Sequence, residues 1–138
     1  MQKVSQEAYL EEFKQITVEM YETTKRKNSD YTGDDGDAFK NFTMVEALTG
    51  GSIKTEEGFF TRMTDKIMRF AGFLRNGTLK VADEKIEDTI LDLAVYCILF
   101  VCYRRSQKRA EQREAGDFDH SNGSSPEIPN YSESSTGL

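Results

Sequence analysis

Apolar residues recur at helical spacing along most of this chain. From Ser5 to about Lys27, Tyr9, Leu10, Phe13, Ile16, Met20 and Tyr21 form one stripe, three to four residues apart as on a helix face. Ser5 stands where a side-chain cap belongs. Glutamates lead this segment and Lys25-Arg26-Lys27 close it, which suits the helix dipole. A short helix is predicted from Phe39 to Leu48, ended by Thr49-Gly50-Gly51-Ser52. Another is predicted from Thr55 to Leu74, with Phe60, Met63, Ile67, Phe70 and Leu74 as its stripe. The strongest pattern runs from Asp83, placed as a cap, to Tyr103. Ile86, Ile90, Leu93, Ala94, Cys97 and Val101 make its apolar face. Val95, Tyr96 and Leu99 carry apolar character round to the far side, so this helix should be covered from several directions. It should run antiparallel to the Thr55–Leu74 helix, to which a turn of under ten residues joins it. The fold expected is all-α, with four to five helices.

Two stretches break the periodicity. Lys27 to Asp37 gathers Asn, Asp and Gly and reads as a loop. It is long for a connection between helices and holds a lone aromatic, Tyr31. Its aspartates lack the closing Glu of a twelve-residue calcium loop. Beyond Glu114 the composition turns to Ser, Gly, Asn and acids, without Lys or Arg. Residues 1–114 therefore read as one helical domain, and residues 115–138 as a disordered acidic tail.

Of the formal net charge of -6, the tail holds -4, from Asp117, Asp119, Glu127 and Glu133. With so little basic surface, duplex nucleic acid is not the expected partner. The longest apolar run, Leu93 to Cys102, is about half of what a bilayer span requires, so no membrane association is expected. Cys97 and Cys102 read as reduced, buried small hydrophobes, consistent with a cytoplasmic protein. The only histidine, His120, leaves no zinc ligand set. Val95, Leu99 and Phe100 extend the apolar surface of the last helix beyond what three or four partner helices cover, which points to a homo-oligomer.

The charged residues suggest chemistry. Glu84, Asp88 and Asp92 recur four apart and stack on one helix face. Their mutual repulsion calls for a cation or a basic partner; a solvated acidic first turn is the simpler alternative. Arg62, Lys66 and Arg69 surround Asp65 on one flank of the preceding helix. This is either an intrahelical ion-pair ladder or an edge that faces phosphate, with Asp65 turned to a metal.

Three ordered motifs, Lys27-Asn28-x-Asp30-Tyr31-x-Gly33, Arg62-Met63-x-Asp65-Lys66-Ile67-x-Arg69, and Asp83-Glu84-x-Ile86-x-Asp88-Thr89-x-x-Asp92-Leu93-Ala94-x-Tyr96, together resemble the phage-associated nucleotide-modification domain family. That family is similar in turn to the all-α nucleoside triphosphate pyrophosphohydrolases, the group with MazG-like enzymes and dimeric dUTPases. The resemblance covers roughly Lys27 to Val101. It implies a Mg2+-dependent (deoxy)nucleotide-processing protein of phage nucleotide metabolism, placed in the host cytoplasm if phage-encoded. Glu84, Asp88 and Asp92 would be its catalytic carboxylates, and with Asp65 its metal ligands. Arg62, Lys66 and Arg69 would meet phosphate. Lys27, Asn28, Asp30 and Tyr31 would lie near base or sugar. Where those enzymes carry Glu-x-x-Glu on the first carboxylate helix, this chain offers only Asp65. That departure favours the alternatives: a nucleoside monophosphate phosphotransferase, a non-catalytic nucleotide-binding protein, or a helical interaction module.

Overall fold

The computed structural model describes residues 3–32, 36–78 and 85–121, with residues 29–32 and 118–121 by backbone alone. It holds four helices in the order α1 (Gln6–Thr32), α2 (Lys40–Leu48), α3 (Thr55–Asn76) and α4 (Ile86–Ser121). Among the described residues there is no strand, so the chain is all-helical as expected. No helix there is long and apolar enough to cross a membrane. By packing, the chain falls into two units, residues 1–103 and residues 104–138.

Within the first unit, Ser5 caps α1 as expected: the Ala8 N–H donates to Ser5 Oγ at 3.1 Å. The helix does not stop at Lys27. It runs on through Thr32, so the first part of the expected loop is helical. Asn28, Ser29 and Asp30 are only moderately poor helix formers, and extending an established helix costs little per residue. Gly33 is the first strong breaker in the stretch.

Asp37 opens α2, its carboxylate accepting the Phe39 N–H at 2.9 Å. The turn into α3 uses Gly50 and Gly51 at φ 60° and 83°, a region L-residues with side chains avoid. Across this turn Glu46 ties α2 to α3. One carboxylate oxygen accepts both the Thr55 hydroxyl at 2.8 Å and the Thr55 N–H at 3.0 Å. The other accepts from Lys54 Nζ at 3.2 Å. Thr55 is buried. The Thr55 hydroxyl first, then its N–H and Lys54, hold the Glu46 carboxyl below its ordinary value of 4.5. A carboxyl whose pKa falls on folding adds stability above its unfolded value and loses that contribution as pH drops through the folded one. Wild-type melting temperature is therefore expected to fall as pH is lowered from 5 through 4 and below. Glu46→Gln should flatten the part of that decline that the carboxyl causes, as thermal melts across pH 3–6 would show.

One turn into α3, Gly58 lets the two helices approach. A Cβ there would lie 3.1 Å from the Val45 side chain. This brings Phe42 and Phe59 face to face, 3.8 Å between centroids and 4° from parallel. Phe59 also meets Phe100 edge-on at 5.5 Å and Tyr103 at 5.6 Å, while Phe42 meets Tyr96 at 6.1 Å. Phe59 thus touches the 100–103 region of α4, and Lys66 reaches back to Asp92. Rising numbers on α3 against falling numbers on α4 show the expected antiparallel pairing.

The faces of α4 differ from expectation. Its packed stripe is Thr89, Asp92, Tyr96, Phe100 and Tyr103, with Thr89 and Tyr103 buried. Ile90, Cys97 and Val101, on the face read as the core side, are exposed. Cys97 and Cys102 are both exposed free thiols, not buried hydrophobes. Leu99 and Phe100 pack against the aromatic core and Val95 is half-buried, so these three are not the uncovered patch. The aromatic cluster explains the inversion: rings from α2 and α3 find their counterparts at Tyr96, Phe100 and Tyr103, which fixes the rotation of α4 about its axis.

In the second unit α4 continues past Glu114 through Ser121, so residues 115–121, expected to lie in the disordered tail, are helical. Gly116 costs about 1 kcal/mol relative to alanine in a helix interior, less than is needed to stop a helix already formed. Arg104 Nη1 donates to Gln107 Oε1 at 3.3 Å on this segment. Residues 122–138, the remainder of the expected tail, lie outside the described residues.

Candidate functional site

A cleft of about 250 Å³ opens in the first unit, where the end of α1, the start of α2 and the middles of α3 and α4 converge. Each element supplies a different chemistry. The extension of α1 past Lys27 keeps Thr24, Lys27 and Asn28 on consecutive turns of one face, and all three line the cleft. From the α2 start come Asp37, Lys40, Asn41 and Phe42. Arg62 enters from α3, and Asp92, Val95, Tyr96 and Leu99 come from α4.

Asp92 lies at the centre of the electrostatics. One carboxylate oxygen sits 3.0 Å from Lys66 Nζ and the other 3.7 Å from Lys27 Nζ. Lys66 is nearly enclosed, at 12% exposure, while Asp92 keeps 37%. Lining the cleft are three cations, Lys27, Lys40 and Arg62, against two carboxylates, Asp37 and Asp92, a formal balance of +1. Phe42 and Tyr96 add aromatic faces, and Asn28 and Asn41 add amides that both donate and accept.

Of the residues singled out from sequence, Lys27, Asn28, Arg62 and Asp92 meet at this cleft, and Lys66 adjoins it through Asp92. Asp65 and Arg69 do not line it. They form a surface ion pair one turn apart, Arg69 Nε to Asp65 Oδ2 at 3.3 Å, as in the intrahelical alternative. Asp88 is exposed and outside the cleft. Glu84 and the side chains of Asp30 and Tyr31 lie outside the described residues.

Among the described residues no three His, Cys, Asp or Glu side chains come together as a metal-holding group. Magnesium prefers six oxygen ligands. The carboxylate nearest the cleft centre is instead engaged by two ammonium groups. As far as the described donors go, the arrangement fits an anion and not a resident dication.

Lys40, Asn41, Asp37 and Phe42 were not singled out as site residues. Their signal is faint: a cation and an amide in the first turn of a nine-residue helix, beside an aromatic that reads as core. No protein-family model, curated protein or solved structure matches the chain.

Proposed function

We propose that this chain binds a (deoxy)nucleotide in the cleft between α1, α2, α3 and α4. One observation carries the reading: Lys27, Lys40 and Arg62 converge on a cleft that also presents Phe42 and Tyr96. Phosphate is met by cations, and most specifically by an arginine fork. A base has a flat apolar face and polar edges, which aromatic rings and the Asn28 and Asn41 amides complement. The volume falls just below the roughly 300–1,000 Å³ of drug-sized sites, which suits a mononucleotide.

A second reading adds magnesium-dependent turnover. It rests on the resemblance to the all-α pyrophosphohydrolases. It is supported by the convergence of Arg62 and Lys66 on α3 with Asp92 on α4, the two helices that the resemblance assigns to phosphate and metal. In it Asp88 and Asp92, one turn apart, are the described carboxylates that would hold magnesium brought with a triphosphate. The ion would supply charge neutralisation at the phosphates. A phosphotransferase is the variant that uses the same groups.

The test is a panel of (deoxy)nucleoside mono-, di- and triphosphates. Binding is measured by calorimetry without metal, then product formation by chromatography with magnesium. Metal-free binding is expected, weakening at least tenfold in Arg62→Ala, a loss of about 1.4 kcal/mol, and weakening with salt. No binding at millimolar nucleotide, or an Arg62→Ala variant that binds as wild type, overturns the proposal. Products that appear only with magnesium select the second reading.

A further inference from the structure

Three long helices of the first unit present apolar stripes that this chain does not cover. On α3, Phe60, Ile67 and Leu74 repeat at seven-residue intervals and are 50–70% exposed. With Met63 and Phe70 between them, the spacing is the alternating three-and-four of a coiled-coil seam. On α1, Leu10, Phe13 and Tyr21 are exposed to a similar degree. They lie on the face that, two turns later, turns Thr24, Lys27 and Asn28 into the cleft. The stripe is therefore continuous with a packed surface and runs on beyond it.

We infer that the occupant of the α3 seam is α1 of a second copy of this chain, the two copies exchanging α1 helices reciprocally. Three observations select this occupant. The stripes match in length: twelve residues from Tyr9 to Tyr21 and fourteen from Phe60 to Leu74 both span roughly 20 Å of helix. The charges beside them are opposite. Gln6 to Glu22 carries five Glu against one Lys, while Phe60 to Asn76 carries four Lys or Arg against one Asp, so -4 meets +3. The area also suffices. The exposed parts of these side chains amount to on the order of 1,000 Å² per protomer, against about 800 Å² per partner in a standard stable interface. Because the exchange is isologous, both copies are satisfied and the assembly closes at two.

The test uses the full chain and two variants at half-exposed or more exposed positions, Phe13→Asp on α1 and Ile67→Asp on α3, with Leu74→Asp as a second seam variant. Circular dichroism establishes that each is helical. Wild type is expected to sediment as a dimer at 10 μM. Each variant should sediment as a monomer at that concentration, and an equimolar mixture of Phe13→Asp with Ile67→Asp should regain a dimer, since one seam between an intact α1 and an intact α3 remains. A monomeric wild type overturns the inference. So does a Phe13→Asp variant that stays as dimeric as wild type, since α3 would then be packing on something other than α1. If the seam variants lose helicity, the mixing experiment is run with Phe60→Ser and Leu10→Ser, and failure of that pair to recover dimer likewise overturns it.

Discussion

Phe59→Ala is expected to destabilise the chain by about 3–5 kcal/mol, the range measured for deleting a fully buried aromatic side chain. Phe59 is 1% exposed, and the buried apolar core among the described residues is only Phe42, Phe59 and Tyr103. It is also the side chain that three helices share: it stacks on Phe42 of α2 and meets Phe100 and Tyr103 of α4. Truncation removes the transfer energy of the ring and leaves a cavity. It also forfeits ring–ring geometry worth about 0.5–1.5 kcal/mol per pair. Because α2 abuts α3 closely at Gly58, the backbones have little room to collapse into the void. Single domains are stable by about 5–15 kcal/mol, so much of the total is at stake. Urea melts of Phe59→Ala beside Phe60→Ala decide the matter, because Phe60 is the adjacent residue and is 70% exposed. A loss under 1 kcal/mol at Phe59 would mean that the aromatic cluster does not hold these helices together.

The contrast between these neighbours shows what the sequence makes legible. Periodicity located all four helices, and local chemistry located their ends: the Ser5 cap, the Gly50-Gly51 turn and the start of α3 at Thr55. Such signals depend on residues within a few positions of each other, and the structure keeps them. Which face turns inward is not a local property. On α3 the regular stripe through Phe60, Ile67 and Leu74 is the more convincing core by spacing, yet Thr55, Phe59 and Lys66 take the interior. On α4 the aliphatic face yields to Thr89, Asp92, Tyr96, Phe100 and Tyr103. Both choices are made by Phe39 and Phe42 on a short helix some fifty residues away from their α4 partners, and nothing in the α4 pattern announces them. The site divides the same way. Arg62, Lys66 and Asp92 were readable because unlike charges at helical spacing invite a partner. Lys40 and Asn41 were not, because a lone cation and a lone amide near a helix start look like ordinary surface. Asp65 and Arg69 carried the same signal as the others but satisfy each other locally.

Asp92→Asn is the substitution with the largest expected effect on ligand handling. Its energetics follow from exposure. A carboxylate more than a third exposed, paired with Lys66 at 3.0 Å and Lys27 at 3.7 Å, is not a buried ion pair, whose rupture would cost about 3–5 kcal/mol. It sits nearer the exposed pairs worth about 0–1 kcal/mol, and the asparagine carbonyl still accepts from Lys66. A stability change below about 1 kcal/mol is therefore expected. The effect on the cleft is larger, because its formal balance rises from +1 to +2 and two ammonium groups lose their internal counter-ion. Metal-free affinity for a nucleoside triphosphate should rise about fivefold or more at low ionic strength, with the gain shrinking as salt screens it. If Asp92 instead serves magnesium, the same variant loses magnesium-dependent turnover, because an amide replaces an anionic ligand. Melting temperature, metal-free affinity and magnesium-dependent product formation, measured on one preparation, separate the cases. Arg69→Ala, on the surface beside Asp65 and outside the cleft, is the companion expected to leave ligand binding unchanged. Tighter metal-free binding assigns Asp92 as the counter-ion that an incoming phosphate displaces. Lost turnover at unchanged metal-free affinity assigns it to the metal. An Asp92→Asn variant that melts, binds and turns over as wild type would remove Asp92 from the site, and with it the geometric basis for the cleft as the place where nucleotide binds.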